Sequence, residues 1–343
     1  MTIMIGIDPH KASHTAVAID NTECVLDELR IRACSKQTDR LQSWASPFPD
    51  RVWAIESARG LGYLLAQQLV AAGETVLDVP AVMSTRTRLL GSGKAQKNDP
   101  NDARSVAIAA LRNDQLCKVG LDDHARVLKL LVKRHRDLGR LKSKAACRLH
   151  ALLMELEPGG MAKEMTVTRA NDIVDRIEPA SQMVEHRLAV ARETLADIEH
   201  YETQMKASMK RLRTAVAASG TSLVEIRGVG VVVAAMIIGQ TGDISRFVSA
   251  GHFASYNGTA PIEASSGEKK RHRLNQRGNR QLNWAIHVVA VSQLRYPCEG
   301  RDYYDRKRAE GKNSKEAIRA LKRQLSNVIY RALVADTRRS TGE

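Results

Sequence analysis

Aromatic side chains are scarce in this chain. Phe, Trp and Tyr make up 4% of its 343 residues, so recognition by stacking on aromatic platforms is a weak expectation. Cysteine is sparser still: Cys24, Cys34, Cys117, Cys147 and Cys298 are odd in number, far apart and never in a C-x-x-C pair. That pattern excludes a disulfide framework, argues against structural zinc and fits a reduced, cytoplasmic setting. No basic region followed by an apolar core opens the sequence, so export through a signal peptide is not expected. The longest apolar run, Val229 to Ile238, is interrupted by Gly230 and too short to span a bilayer, so no membrane partner is expected. Acidic residues are outnumbered, 38 Asp and Glu against 53 Lys and Arg, for a formal charge of +15. An excess of that size predicts attraction to polyanions, nucleic acid first, held mainly through phosphates.

What is present is enough apolar residue, 43%, for two or three domains with cores of their own. The amino-terminal third opens with β-rich runs, Ile3 to Asp8, Thr15 to Asp20 and Val25 to Ala33. A helical segment at Asp39 to Ala45 follows, then a strand from Arg51 to Glu56, a helix from Leu61 to Ala72 and a strand from Thr75 to Val79. The expected order is β-β-β-α-β-α-β-α. Asp8 closes the first strand and Glu56 the fourth.

The sequence around residue 100, Lys97-Asn98-Asp99-Pro100-Asn101-Asp102-Ala103-Arg104, places a proline where it suits the first turn of a helix. Asp99 then reads as the N-cap and Asp102 as an acid one turn in, with both carboxylates pointing the same way. Four carboxylates are thereby expected at one pocket, the donor set a hard cation such as Mg²⁺ takes, with room for two ions in phosphodiester chemistry. The order and the placement of the acids resemble the ribonuclease H and RuvC superfamily. Each acid alone also fits a cap or a turn.

Residues 84–97 are basic, hydroxyl-rich and broken by glycine, and read as a mobile loop with Arg86, Arg88, Lys94 and Lys97 on a phosphate backbone. His10 and His14 read as part of a hairpin beside the acids, without zinc.

From His124 to Leu156 the pattern is helical, with Leu131, Leu138, Ala145 and Leu152 seven apart. In a second stretch Val184, Ala191, Ile198, Met205 and Leu212 repeat every seven, and Leu188, Leu195, Met209 and Val216 occupy the interleaved row, broken only by Glu202. The two stretches pair within one chain or form a seam between chains; the length of the seam favours a homo-oligomer. Gly228 and Gly230, ahead of an apolar helix, read as a helix-hairpin-helix that grips phosphate, or as a tight corner without a ligand. Farther on, Ser265-Ser266-Gly267 is followed by Lys269, Lys270, Arg271, Arg273, Arg277 and Arg280. A hydroxyl among cations is placed to attack a phosphodiester, or to serve as one more DNA contact.

Gly6-Ile7-Asp8, Ile55-Glu56-Ser57, Asp99-Pro100-Asn101-Asp102-Ala103, Gly228-Val229-Gly230 and Ser265-Ser266-Gly267 ahead of Arg277-Gly278-Asn279-Arg280 together resemble the insertion-sequence transposases of the one-ten family, relatives of the Piv and MooV invertases. The likeness runs from residue 3 to about residue 330. It implies an α/β RuvC-like domain over 1–118 with a DEDD metal site at Asp8, Glu56, Asp99 and Asp102. A helical coiled-coil region over 119–218 and a mainly helical transposase domain over 219–343, with a helix-hairpin-helix and a nucleophilic serine at Ser266, are to follow. It further implies recombination of donor and target DNA guided by a noncoding bridge RNA, and a dimer or tetramer whose subunits share an active site. A junction-resolving endonuclease using metal-activated water and a non-catalytic nucleic-acid-binding protein are the alternatives.

Overall fold

The computed structural model of the chain describes residues 2–90, 98–159, 166–263, 272–273, 275 and 278–341. The chain divides into two compact units, Met1–Asp123 and His124–Glu343, where three segments were expected.

The first unit runs β1 (Ile3–Pro9), β2 (Ser13–Ile19), β3 (Val25–Arg32), α1 (Gln37–Trp44), β4 (Arg51–Glu56), α2 (Tyr63–Ala71), β5 (Val76–Val79), α3 (Ala81–Leu90), α4 (Asp99–Leu111) and β6 (Cys117–Lys118). The expected order β-β-β-α-β-α-β-α is observed with one helix more, α3, ahead of the acid-bearing α4, and a short strand, β6, after it. The strands form one sheet in the order β3-β2-β1-β4-β5-β6, with β1 antiparallel to β2 and parallel to β4. β1 lies centrally, and all but its first residue are buried, which explains its near-continuous apolar run.

Strand alternation sorts the side chains between two cores. Ile5, Ile7, Trp53 and Ile55 pack with Leu65 and Leu69 of α2 on one face. Met4 and Ala54 pack with Ala103, Val106 and Ala107 of α4 on the other. Gly6 shares the parity of Met4, and there β1 and α4 touch backbone to backbone. A Cβ on Gly6 would fall 2.5 Å from the Ala107 nitrogen and closer still to the Ala103 carbonyl oxygen.

Three local expectations change. The α4 cap is Asn98, whose extended backbone lets its side chain accept from the Asn101 N–H, so Asp99 is the first helical residue and is released from capping. Residues 84–90 are not loop but the greater part of α3, while Lys94 and Lys97 lie outside the described residues. Leu61 and Leu64, counted in the apolar rows of the second helix, are exposed, because α2 starts only at Tyr63 and buries Leu65 and Leu69.

The second unit contains α5 (His124–Met154), α6 (Val167–Arg176), α7 (Gln182–Ala218), α8 (Val231–Thr241), α9 (Ala250–Tyr256), the short pair β7 (Ile262–Glu263) and β8 (His272–Arg273), α10 (Arg280–Gln293), α11 (Glu299–Ala309) and α12 (Ser314–Thr341). The two heptad stretches become α5 and α7, which lie antiparallel in one chain. Lys142 pairs with Glu202 at 2.7 Å, Arg187 with Glu155 at 2.8 Å, and Arg134 donates to Gln204 at 2.6 Å. Leu138, Ala145, Leu188, Ala191, Leu195, Ile198 and Leu212 are buried. The apolar seam is thus satisfied within the chain, and its length no longer argues for an oligomer.

The segment before the two glycines is a single 3₁₀ turn, Ser222–Glu225, rather than the expected helix. Gly228, at φ +88°, packs against α10, where a Cβ would lie 3.2 Å from the Val289 carbonyl oxygen. Its conformation serves a tight corner.

Replacing Gly6 with Ala pushes α4 off the sheet and should cost about 3 kcal/mol or more, an overpacking penalty at a backbone contact that has no room to give. Gly120→Ala, whose Cβ would meet nothing within 4 Å, should change stability by less than about 0.5 kcal/mol. Urea unfolding of the two variants checks the difference.

Candidate metal and strand-cleavage site

The four predicted acids all come from the first unit, and strand parity explains why they meet. Asp8 is two residues beyond Gly6 and four beyond Met4, so it projects toward α4; Glu56 is two beyond Ala54 and projects the same way. β1 and β4 are parallel with Ile7 opposite Ile55, so both acids sit at the same end of the sheet. The first turn of α4 brings Asp99 and Asp102 to that end.

Asp8 is 5% exposed, and burial pushes its carboxyl up to about 6. The His10 ring opposes that rise, whereas the charges of Glu56, Asp102 and Asp99 add to it. The other three acids therefore act on Asp8 as close like charges. Each also has a partner. The Ser84 hydroxyl of α3 donates to Glu56, Arg88 of α3 pairs with Asp102, and Arg30 of β3 lies 3.4 Å from Asp99. His10 stands between two acids, its Nδ1 3.5 Å from Asp8 Oδ2 and its Nε2 4.0 Å from Asp99 Oδ1.

Hard carboxylate oxygens crowded at one edge, with one carboxyl held well above its usual range by burial and then by neighbouring like charge, match what a divalent cation neutralises. The donor set fits such an ion, and Asp8, His10 and Asp99 offer ligand atoms within 4.8 Å of one another.

Arg88 is thus an ion-pair partner of Asp102 in this structure rather than a cation left over for phosphate, and Arg86 is exposed on the same helix. Arg280 is the exposed first residue of α10, and Arg273 belongs to the backbone pair β7–β8. Ser265, Ser266, Lys269, Lys270, Arg271 and Arg277 lie outside the described residues. Sequence reasoning missed Ser84, Arg30 and the closeness of His10 to Asp99. The signal for His10 was its position two residues after Asp8 in a tight turn.

His14, the other histidine of the hairpin, faces away from this chemistry. It is buried, and its Nε2–H donates to Gln37 Oε1 at 3.0 Å.

The position of Asp8 makes metal-free stability depend on pH. Its carboxyl titrates near 6 when folded and near the usual 3.8 when unfolded, so between those values the folded chain holds the extra proton. Metal-free stability should fall as pH rises from about 4 through about 6, by at most about 3 kcal/mol at ~1.4 kcal/mol per unit, and then level off. Asp8→Asn should remove that fall and make the metal-free protein more stable than wild type at pH 7.5. Urea unfolding at pH 5 and 7.5 in the presence of a chelator measures both effects.

Comparison with known proteins bears directly on this arrangement. A family model for DEDD transposases of the IS110 type matches residues 5–158, and one described as the IS116/IS110/IS902 transposase family matches residues 220–305. The 44.8 kDa protein of insertion element IS116 from Streptomyces clavuligerus is 25% identical over 98% of this chain and 95% of its own. The 42 kDa protein of IS900 from Mycobacterium paratuberculosis is 25% identical over 96% and 95%, and the 43.6 kDa protein of IS110 from Streptomyces coelicolor is 26% identical over 96% and 94%. T. thermophilus RuvC, solved in complex with a Holliday junction substrate, overlays at a TM-score of 0.26 with 18% identity over 32% of this chain and 94% of that one, too slight an overlay to bear on the fold. With both family models matched in order along the sequence and relatives aligned end to end, the chain belongs to the IS116/IS110/IS902 family of insertion-element transposases, enzymes that cut and rejoin DNA.

Proposed function

We propose that this transposase recombines donor and target DNA through a covalent link at Ser266, using Mg²⁺ held by Asp8, Glu56, Asp99 and Asp102, with a noncoding bridge RNA choosing the sites. The observation that carries the reading is the projection of Asp8 and Glu56 from parallel strands toward the helix that bears Asp99 and Asp102. Mg²⁺ supplies Lewis-acid polarisation of the scissile phosphate and neutralises charge that builds there.

The chain's own groups do the rest. Asp8, Glu56, Asp99 and Asp102 would hold the cation. Ser266 Oγ forms a bond to phosphorus as a bond from phosphorus to one deoxyribose oxygen breaks, and the departing alcohol takes a proton. The phosphoserine keeps the energy of the broken diester, so attack by another strand's hydroxyl rejoins DNA and frees the serine. The basic residues Lys269, Lys270, Arg271, Arg273, Arg277 and Arg280 follow that serine in sequence, where cations balance developing charge on the phosphate. Arg86, Lys94, Lys97 and the Gly228 to Gly230 corner are further candidates for backbone contact.

The net charge of +15 with few aromatics supports binding dominated by phosphates, which leaves sequence choice to base pairing with a guide. A dimer or tetramer belongs to the proposal as the means of bringing four strands together. The domain limits 1–118, 119–218 and 219–343 are proposed as functional segments.

Ser266→Ala should abolish covalent protein–DNA adducts while RNA binding persists, and Asp102→Asn should reduce Mg²⁺-dependent strand cutting by at least about a hundredfold. Denaturing gels of labelled donor and target DNA read both. Adducts surviving in Ser266→Ala move the nucleophile elsewhere, Ser265 first. Products left nicked rather than rejoined identify hydrolysis by activated water in place of the serine step.

A further inference from the structure

The acids of the site are carboxylates from strands and a helix, but an imidazole also stands beside two of them, Asp8 and Asp99, the second shared with Arg30 at 3.4 Å. His10 sits in the turn between β1 and β2, where its backbone N–H donates to the Ser13 carbonyl at 2.9 Å, so its Cα is held at a fixed place beside the end of β1. From there the ring bridges Asp8 and Asp99 at 3.5 and 4.0 Å. The two separations are taken from opposite ring nitrogens, and only one of these nitrogens can enter the coordination of an ion held by both acids. A cation about 2.1 Å from each ligand spaces adjacent donors roughly 3 Å apart and opposite donors about 4 Å apart, and the three donors here lie within 4.8 Å of one another.

A nitrogen donor changes what such a site prefers. Mg²⁺ takes oxygen and gains little from imidazole, whereas transition-series dications bind imidazole well. Glu56 and Asp102 lie near Ser84 and Arg88 and have no histidine partner among the described residues. The two ends of the acid cluster thus differ in donor chemistry.

Resting on the metal reading above, we propose that His10 is a nitrogen ligand to the cation held by Asp8 and Asp99, so that this end of the site takes a transition-series dication such as Mn²⁺ in preference to Mg²⁺. The ion pairs that His10 makes with the two acids are the arrangement before the cation enters.

The test uses the full-length chain without a histidine tag, loaded with less than one equivalent of Mn²⁺, as wild type, His10→Ala, His10→Gln and Asp8→Asn. Electron spin echo envelope modulation reports directly bound ¹⁴N, continuous-wave resonance reports free Mn²⁺, and Mg²⁺ competition gives the selectivity. Wild type should show the nitrogen coupling, and both His10 variants should lose it. Their Mn²⁺ affinity should fall by at least about tenfold, the least that removal even of an outer-shell partner produces. Their Mg²⁺ affinity should change by less than about threefold, as expected for a cation indifferent to imidazole. Mn²⁺ bound by wild type without nitrogen coupling, or coupling that persists in both His10 variants, overturns the role of His10 and leaves the acid site standing. Mn²⁺ binding unaffected by Asp8→Asn, or no binding by wild type, overturns the acid site along with it.

Discussion

The contact between β1 and α4 at Gly6 is the constraint from which the rest of the first unit follows. A side chain of any size there would hold the helix away from the sheet, and the small residues Ala103 and Ala107 opposite it complete the close approach. Because α4 is held against β1, Asp99 and Asp102 in its first turn come to the same end of the sheet as Asp8. The packing and the chemistry therefore share one cause.

That arrangement is costly without a cation. Asp8 is buried among like charges, and the protein offsets the crowding with groups from other elements: Arg88 on Asp102, Arg30 on Asp99, His10 near Asp8 and the Ser84 hydroxyl on Glu56. A carboxylate cluster whose members are each engaged by a donor or a cation, yet whose most buried member stays hard to ionise, remains in deficit of positive charge. Sites of this kind trade stability for function, since the repulsion is relieved only when the ligand arrives. The basic groups have a second bearing on DNA, because the cation competes with them for the acids and the phosphate competes with the acids for them.

Much of this was legible in the amino-acid order. The strand from Arg51 to Glu56 and the acids ending β1 and β4 follow from alternation and β-branched content, and the same alternation tells which face each acid joins. The heptads foretold α5 and α7 because a seven-residue repeat is a property of the helix surface itself. The same pattern is silent about which chain covers the seam, and here the covering helix comes from the same chain. The cap at Asn98 was misassigned to Asp99 because two cap-forming residues stand side by side before Pro100, and only the backbone angles separate them. α3 is not evident from the sequence because Ser84, Thr85 and Thr87 are poor markers of a helix, which is held here by packing on α4. The pairing of Arg88 with Asp102 joins residues fourteen apart in two helices, a relation no local spacing encodes.

The central claim is that one end of a sheet and the first turn of one helix together hold a divalent cation. Anomalous diffraction from a crystal of this protein soaked in Mn²⁺ tests it most directly. The account predicts a peak between about 2.0 and 2.6 Å from carboxylate oxygens of Asp8 and of Asp99 or Asp102. A fully occupied crystal with no peak there, and with those carboxylates turned apart into solvent, would contradict it.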